Sequence, residues 1–187
     1  MNTISQRIER ERNGDATGWL SLALFGVATA AVVSLATAGS GAARPSTLGW
    51  YKRLDQPSYK PPDPVIPAAW SVLYTASAIS AWRVWRTEDS PERRTALALW
   101  GAQLVANGLW TRLFFGHKRP DFALVDSAVL FAGAAAYAVA ADKVDRPAAM
   151  LMLPYLGWVG FATKLNADIV KLNPEESGGD GDEIPTE

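Results

Sequence analysis

The chain has 187 residues, no cysteine and a single histidine, and its 18 basic and 19 acidic side chains leave a formal net charge of −1. Disulfides, thiolate catalysis and thiolate metal sites are thereby excluded, and one histidine does not build a metal site by itself. Near-neutral charge also removes the electrostatic case for a nucleic-acid partner.

Average hydropathy is close to zero, yet this average hides five long apolar stretches at residues 18–38, 66–85, 96–115, 122–141 and 147–172. A hydrocarbon core of roughly 30 Å is crossed by about 20 mostly apolar helical residues, and each stretch meets that length. The last four are joined by short connections, so neighbouring helices run antiparallel. The expected fold is an all-α integral membrane bundle of five transmembrane helices. A polar segment precedes it over residues 1–17, the membrane domain occupies 18–173, and an acidic tail over 174–187 is expected to be disordered.

The first stretch follows Arg7, Arg10 and Arg12, and small residues near Ala38 would suit a signal peptidase. Its uncharged run is long for a signal core, so the expectation is a retained first helix. Basic residues on the two sides of the membrane balance, which leaves orientation open. The first loop, residues 39–65, is the one long connection and carries Pro45, Pro57, Pro61, Pro62 and Pro64 among Trp50, Tyr51 and Tyr59. Proline stiffens a loop without a core. The loop reads either as an aromatic flap over one end of the bundle or as an interfacial aromatic belt.

On the second helix Trp70, Tyr74 and Ser77 share a face. On the third, Gln103, Asn107, Trp110 and Phe114 align, and on the fifth Tyr155, Trp158, Ala162 and Leu165 follow Pro154, which is expected to kink the helix. An amide such as Asn107 at membrane depth requires a partner and should face inward. Aromatic rows converging on it suit either tertiary packing or a small-molecule site. Small-residue ridges, Ala98–Ala102–Ala106 on the third helix and Ala128–Ala132–Ala136–Ala140 on the fourth, suit close helix packing, either within the bundle or, for the third helix, in a homodimer. Arg83 and Arg112 lie near helix ends and are expected to snorkel, with Asp126 a candidate partner for Arg112. His117 belongs to a solvated turn, and no acidic or histidine chain crosses the bundle to relay protons.

Several of these motifs resemble one family. Trp50-Tyr51, Pro57-Ser58-Tyr59-Lys60-Pro61-Pro62 and Trp70-Ser71-Val72-Leu73-Tyr74 resemble the first loop and second helix of the TspO/MBR family of tryptophan-rich sensory and translocator proteins, also called peripheral-type benzodiazepine receptors. Gln103-Leu104-Val105-Ala106-Asn107 with Trp110 and Phe114-Phe115-Gly116 resembles its third helix, Ala123-Leu124-Val125-Asp126 the start of its fourth, and Pro154-Tyr155-Leu156-Gly157-Trp158 its fifth. The resemblance runs from about Trp50 to Asn173, in order.

The resemblance implies a multi-pass membrane protein, often dimeric, that binds porphyrins and in some members sterols or synthetic ligands. By position, the implied lining is Tyr51, Pro61, Trp70, Tyr74, Asn107, Trp110, Trp158, Ala162 and Leu165, with Ala98, Ala102 and Ala106 at a homodimer interface and no cofactor or metal. A sensor, regulator or carrier in porphyrin metabolism or stress response is the leading expectation. The alternatives are a light- and oxygen-dependent porphyrin-degrading enzyme with Trp70 and Trp158 as candidate catalytic residues, and a transporter. The chain departs from the family pattern at Tyr59, where tryptophan is usual, at Pro64, where an aromatic is common, and at Pro67-Ala68, where Gly-Pro is usual. The pattern associated with sterol recognition is broken at Asn166-Ala167, which disfavours cholesterol.

Overall fold

In the computed structural model, which describes residues 3–176 and their side chains from Gly18 onward, the helices follow the apolar stretches closely. They are α1 (Thr3–Ser40), α2 (Pro45–Arg53), α3 (Val65–Trp85), α4 (Pro91–Thr111), α5 (Pro120–Asp142), α6 (Arg146–Leu151) and α7 (Leu153–Leu172). No strand occurs among the described residues. Helix α1 starts at Thr3, so the backbone is helical well before the apolar run begins, and residues 177–187 of the acidic tail lie outside the described residues.

Local chemistry explains the boundaries. Gly41, at φ 65°, takes the left-handed conformation that ends α1 and turns the chain into α2. Ser90 caps α4 by accepting from the Arg93 N–H at 3.1 Å, with Pro91 in the first turn. At its other end α4 widens into a π-helical turn, Arg112–Gly116, closed by His117 N–H to Arg112 C=O at 2.9 Å. The fifth apolar stretch is broken at Met152, between α6 and α7, because Pro154 has no N–H to continue the ladder. The helix is thus interrupted at one residue where a kink was expected, with Met152 itself still in the right-handed helical region.

Four segments, Gly18–Ser40, Val65–Trp85, Pro120–Asp142 and Arg146–Leu172, are long and apolar enough to cross a bilayer. Helix α4 completes the bundle. Its 21 residues span about 31 Å at 1.5 Å per residue, its charged side chains are at its first turn, and Gln103 and Asn107 turn inward. Val105 is 66% exposed while Gln103, two residues earlier, is 1% exposed. Val72, Val125 and Val139 are likewise exposed, and Ser77, Ser80, Asn107 and Asn166 are buried. Polar inside and aliphatic outside is the polarity of a protein solvated by lipid. The chain is an integral, multi-pass membrane protein.

Helix α1 packs on α3 and α4, α4 on α5, α5 on α6 and α7, and α3 closes the ring mainly against α6, with only sparse contact to α7. Buried polar pairs tie the ring together. Tyr137 donates to Ser80 Oγ at 2.7 Å while that hydroxyl donates to the Ala148 carbonyl at 2.7 Å, joining α5, α3 and α6. Trp100 Nε1 donates to Ser77 Oγ at 3.0 Å. Arg83 does not snorkel free: it grips Asp145 through Nε at 2.8 Å and Nη2 at 3.2 Å. Arg112 and Asp126 form no pair among the described residues. The guanidinium lies against the end of α1, within 2.8 Å of where a Cβ on Gly39 would sit, and the buried Asp126 Oδ2 meets no hydrogen-bond partner among the described residues.

Candidate ligand site

The centre of the bundle is a directed hydrogen-bond chain through three helices. Tyr74 on α3 donates to Asn107 Oδ1 at 2.5 Å, and Asn107 Nδ2 on α4 donates to the Tyr155 hydroxyl on α7 at 3.2 Å. Tyr155 in turn donates to Gln103 Oε1, back on α4, at 2.8 Å. Each group is short and uncharged, so the chain satisfies polar atoms in lipid surroundings without burying an ion. It stops at Gln103 Nε2, a buried donor with no partner among the described residues.

Aromatic rings enclose the chain. Trp70 stacks on Tyr74 with centroids 5.2 Å apart and meets Tyr155 and Trp158 edge-on at 6.0 and 6.4 Å. Trp158 leans on Phe161 at 5.6 Å, which meets Tyr59 of the first loop at 6.0 Å. The Trp158 indole N–H is buried and has no partner among the described residues. Gln103 Nε2 and Trp158 Nε1 are thus two buried donors without a partner among the described residues, which is uncommon in a packed interior.

Among the residues implied from sequence, Trp70, Tyr74, Asn107 and Trp158 come together here, joined through Tyr155. Tyr51, Trp110 and Leu165 pack instead in an adjoining cluster nearer the first loop, with Trp50, Phe114 and Ile169. Trp110 stacks on Phe114 at 4.9 Å, and its Nε1 donates to Asn166 Oδ1 at 3.0 Å; Asn166 Nδ2 reaches the Pro120 carbonyl at 2.7 Å. The aromatic row of α4 therefore divides, its upper half plugging the end of α5. Ala162 and Pro61 are half-buried between the two groups in chain position. Tyr155 and Gln103 share the expected helical faces but lie outside the implied lining. Asn166 and Asn173 carry inter-element bonds that helical phase alone does not announce.

The first loop forms a roof for the first two aromatics: Trp50 is buried and Tyr51 half-buried, while Tyr59 is exposed along α7. Tyr51 packs edge-on to Phe114 and Phe115 at 6.1 and 5.6 Å, and burial pushes its phenol above the ordinary value. Lys60 Nζ sits 5.4 Å from the Tyr51 ring centroid and bonds Asp63, whose carboxyl is held below its ordinary value by that hydrogen bond and by the lysine charge. Three latches fix the roof to the end of α7. Trp50 Nε1 donates to Glu176 at 2.9 Å, and Asp55 and Asn173 exchange two bonds at 2.9 Å. Tyr59 donates to Asp168 at 2.5 Å and accepts from Lys164 at 3.1 Å.

Ala98 and Ala102 on α4 are exposed and Ala106 is half-buried, and Ala128, Ala132 and Ala136 on α5 are exposed as well, so neither ridge is consumed within the bundle. At the opposite end an open depression of about 420 Å³ is lined by Trp82, Arg83, Arg86, Thr87, Val144 and Asp145. Arg83 is matched there by Asp145 and Arg86 lies over the Trp82 ring, and the depression shares no residue with the aromatic enclosure. No group of three or more metal-ligating side chains occurs among the described residues.

Comparison with known proteins agrees with this architecture. Residues 25–172 match the model of the TspO/MBR family. The chain is 37% identical to the translocator protein of Sus scrofa over 134 residues, covering 71% of this chain and 79% of that one. It is 41% identical to the tryptophan-rich sensory protein of Cereibacter sphaeroides over 124 residues, 66% of this chain and 77% of the relative. Identity to protein CrtK of Rhodobacter capsulatus is 37% over 158 residues, 84% of this chain and 97% of that one. With its five-helix order, its aromatic enclosure and this coverage, the chain belongs to the TspO/MBR family.

Proposed function

We propose that the protein binds a flat, largely apolar tetrapyrrole between α3, α4 and α7 beneath the first loop, and acts as a sensor, regulator or carrier in porphyrin metabolism or stress response. The observation that carries this reading is the polar chain Tyr74–Asn107–Tyr155–Gln103 set among Trp70 and Trp158, with two buried donors left over. Flat aromatic walls with a few convergent polar groups suit a planar ligand that brings acceptors of its own. The names of the relatives, translocator and sensory protein, are consistent with a carrier or sensor role. The exposed alanines of α4 support assembly as a homodimer through that helix.

Tryptophan-fluorescence quenching by protoporphyrin IX tests the site. Saturable quenching by the wild type should weaken about three- to tenfold in Asn107→Ala and in Trp158→Phe, the loss expected for one polar contact or part of a stacking face. Equal quenching in all three proteins would mean partition into detergent and would remove the assignment.

A further inference from the structure

The ion pairs at the loop end of the bundle are unequal in their exposure. Lys164 and Lys171 hold Asp168 with side chains 63% and 77% exposed, and Arg119 holds Asp121 at 32% and 25%. Lys60 is the exception. Its side chain is 14% exposed, while that of its partner Asp63 is 69% exposed. The ammonium is drawn inward over the Tyr51 ring, and the carboxylate that neutralises it stays in solvent, three residues away along the same loop. Below this roof lie two uncharged groups, the cluster of Tyr51, Trp110 and Phe114 and, adjoining it, the enclosure of Tyr74, Asn107, Tyr155 and Trp158. A cation held beside the Tyr51 ring of the implied lining, whose ion-pair partner is an exposed surface acid, is arranged to take an anion from the ligand.

We propose that Lys60 receives a carboxylate of the bound ligand in exchange for Asp63, so that the site selects planar apolar acids over their neutral esters. The assignment rests on the tetrapyrrole reading above and gives that ligand a direction, with its acidic edge under the first loop and its apolar body toward Trp70 and Trp158. Prolines on both sides of the roof, Pro57 and Pro61-Pro62, hold the lysine in place, which lowers the ordering cost of the contact.

The test compares protoporphyrin IX with its dimethyl ester, which has the same ring without the two carboxylates, on the full-length protein in detergent. The wild type should prefer the acid by about tenfold, the scale of one charge-assisted contact. Lys60→Met should abolish the preference while leaving ester binding intact, which also shows that the variant is folded, and Lys60→Arg should keep it. Asp63→Asn, which removes the competitor, should tighten the acid severalfold and leave the ester unchanged. Acid and ester bound alike by the wild type, or a preference that survives in Lys60→Met, would overturn the role of Lys60 alone. Failure of both ligands to bind would overturn it together with the tetrapyrrole reading.

Discussion

At the scale of single residues, Tyr155 is the hub, because its one hydroxyl both accepts from Asn107 and donates to Gln103. Interhelical hydrogen bonds in membranes average only about 0.6 kcal/mol, since the unfolded chain in lipid finds other partners. Here, however, removing the hydroxyl leaves a buried Asn107 donor and a Gln103 amide that already has one unpartnered nitrogen. Tyr155→Phe is therefore expected to destabilise the protein by about 1–2 kcal/mol, read as a lower unfolding midpoint in detergent, whereas Tyr137→Phe should act on the α3–α5 packing without touching ligand affinity. Asn107 was legible in the sequence, as an amide at membrane depth must find a partner. Tyr155 was legible only as a member of an aromatic face, because phase says where a ring points and not which hydroxyl closes a network. Tyr59, the departure from the usual tryptophan, also acquires a meaning. Its oxygen donates to Asp168 and accepts from Lys164, and an indole N–H could do only the first.

At the scale of elements, the least legible part was the first loop, read as either flap or belt. Short helix α2 was unforeseen, although Pro45 opens it and Lys52 and Arg53 close it as the helix dipole favours. Nine residues with a central glycine give too little periodicity to stand out. What secures this element is distant in sequence: Asn173 bonds the Asp55 backbone on both its N–H and C=O sides. Asn173→Ala should loosen residues 54–64, raising their amide exchange by about five- to thirtyfold while the helices keep their protection, as expected for about 1–2 kcal/mol of lost anchoring. Unchanged exchange in the loop would show that the prolines alone hold it. The break at Met152 was readable from Pro154, but its effect on packing was not. Only the folded ring reveals that α6 packs on both α3 and α5 while α7 packs mainly on α5.

At the scale of the whole molecule, the membrane bundle, α4 included, was plain from segment length. The order of helices around the ring is a tertiary fact that hydropathy does not encode. The outward face of α4, with Ala98, Ala102, Val105 and Leu109 exposed, is smooth enough for a second copy to approach closely. Ala102→Leu should convert a detergent-solubilised dimer to monomer without altering porphyrin affinity, as read by light scattering. A dimer that survives the change would place the contact elsewhere, with the exposed Ala128–Ala132–Ala136 face of α5 next in line.

Helices α3 and α7 make sparse backbone contact and meet through the half-buried rings of Trp70 and Trp158, 6.4 Å apart, on the flank of the bundle. A guest that enters there leaves acyl chains rather than water. Its occupancy then follows its mole fraction in the bilayer, and a dissociation constant expressed per litre of buffer describes the guest's partition coefficient as much as the protein. Two ligands with the same fit to the site would rank by oiliness in a dilute suspension of vesicles and become equal once each is counted per lipid.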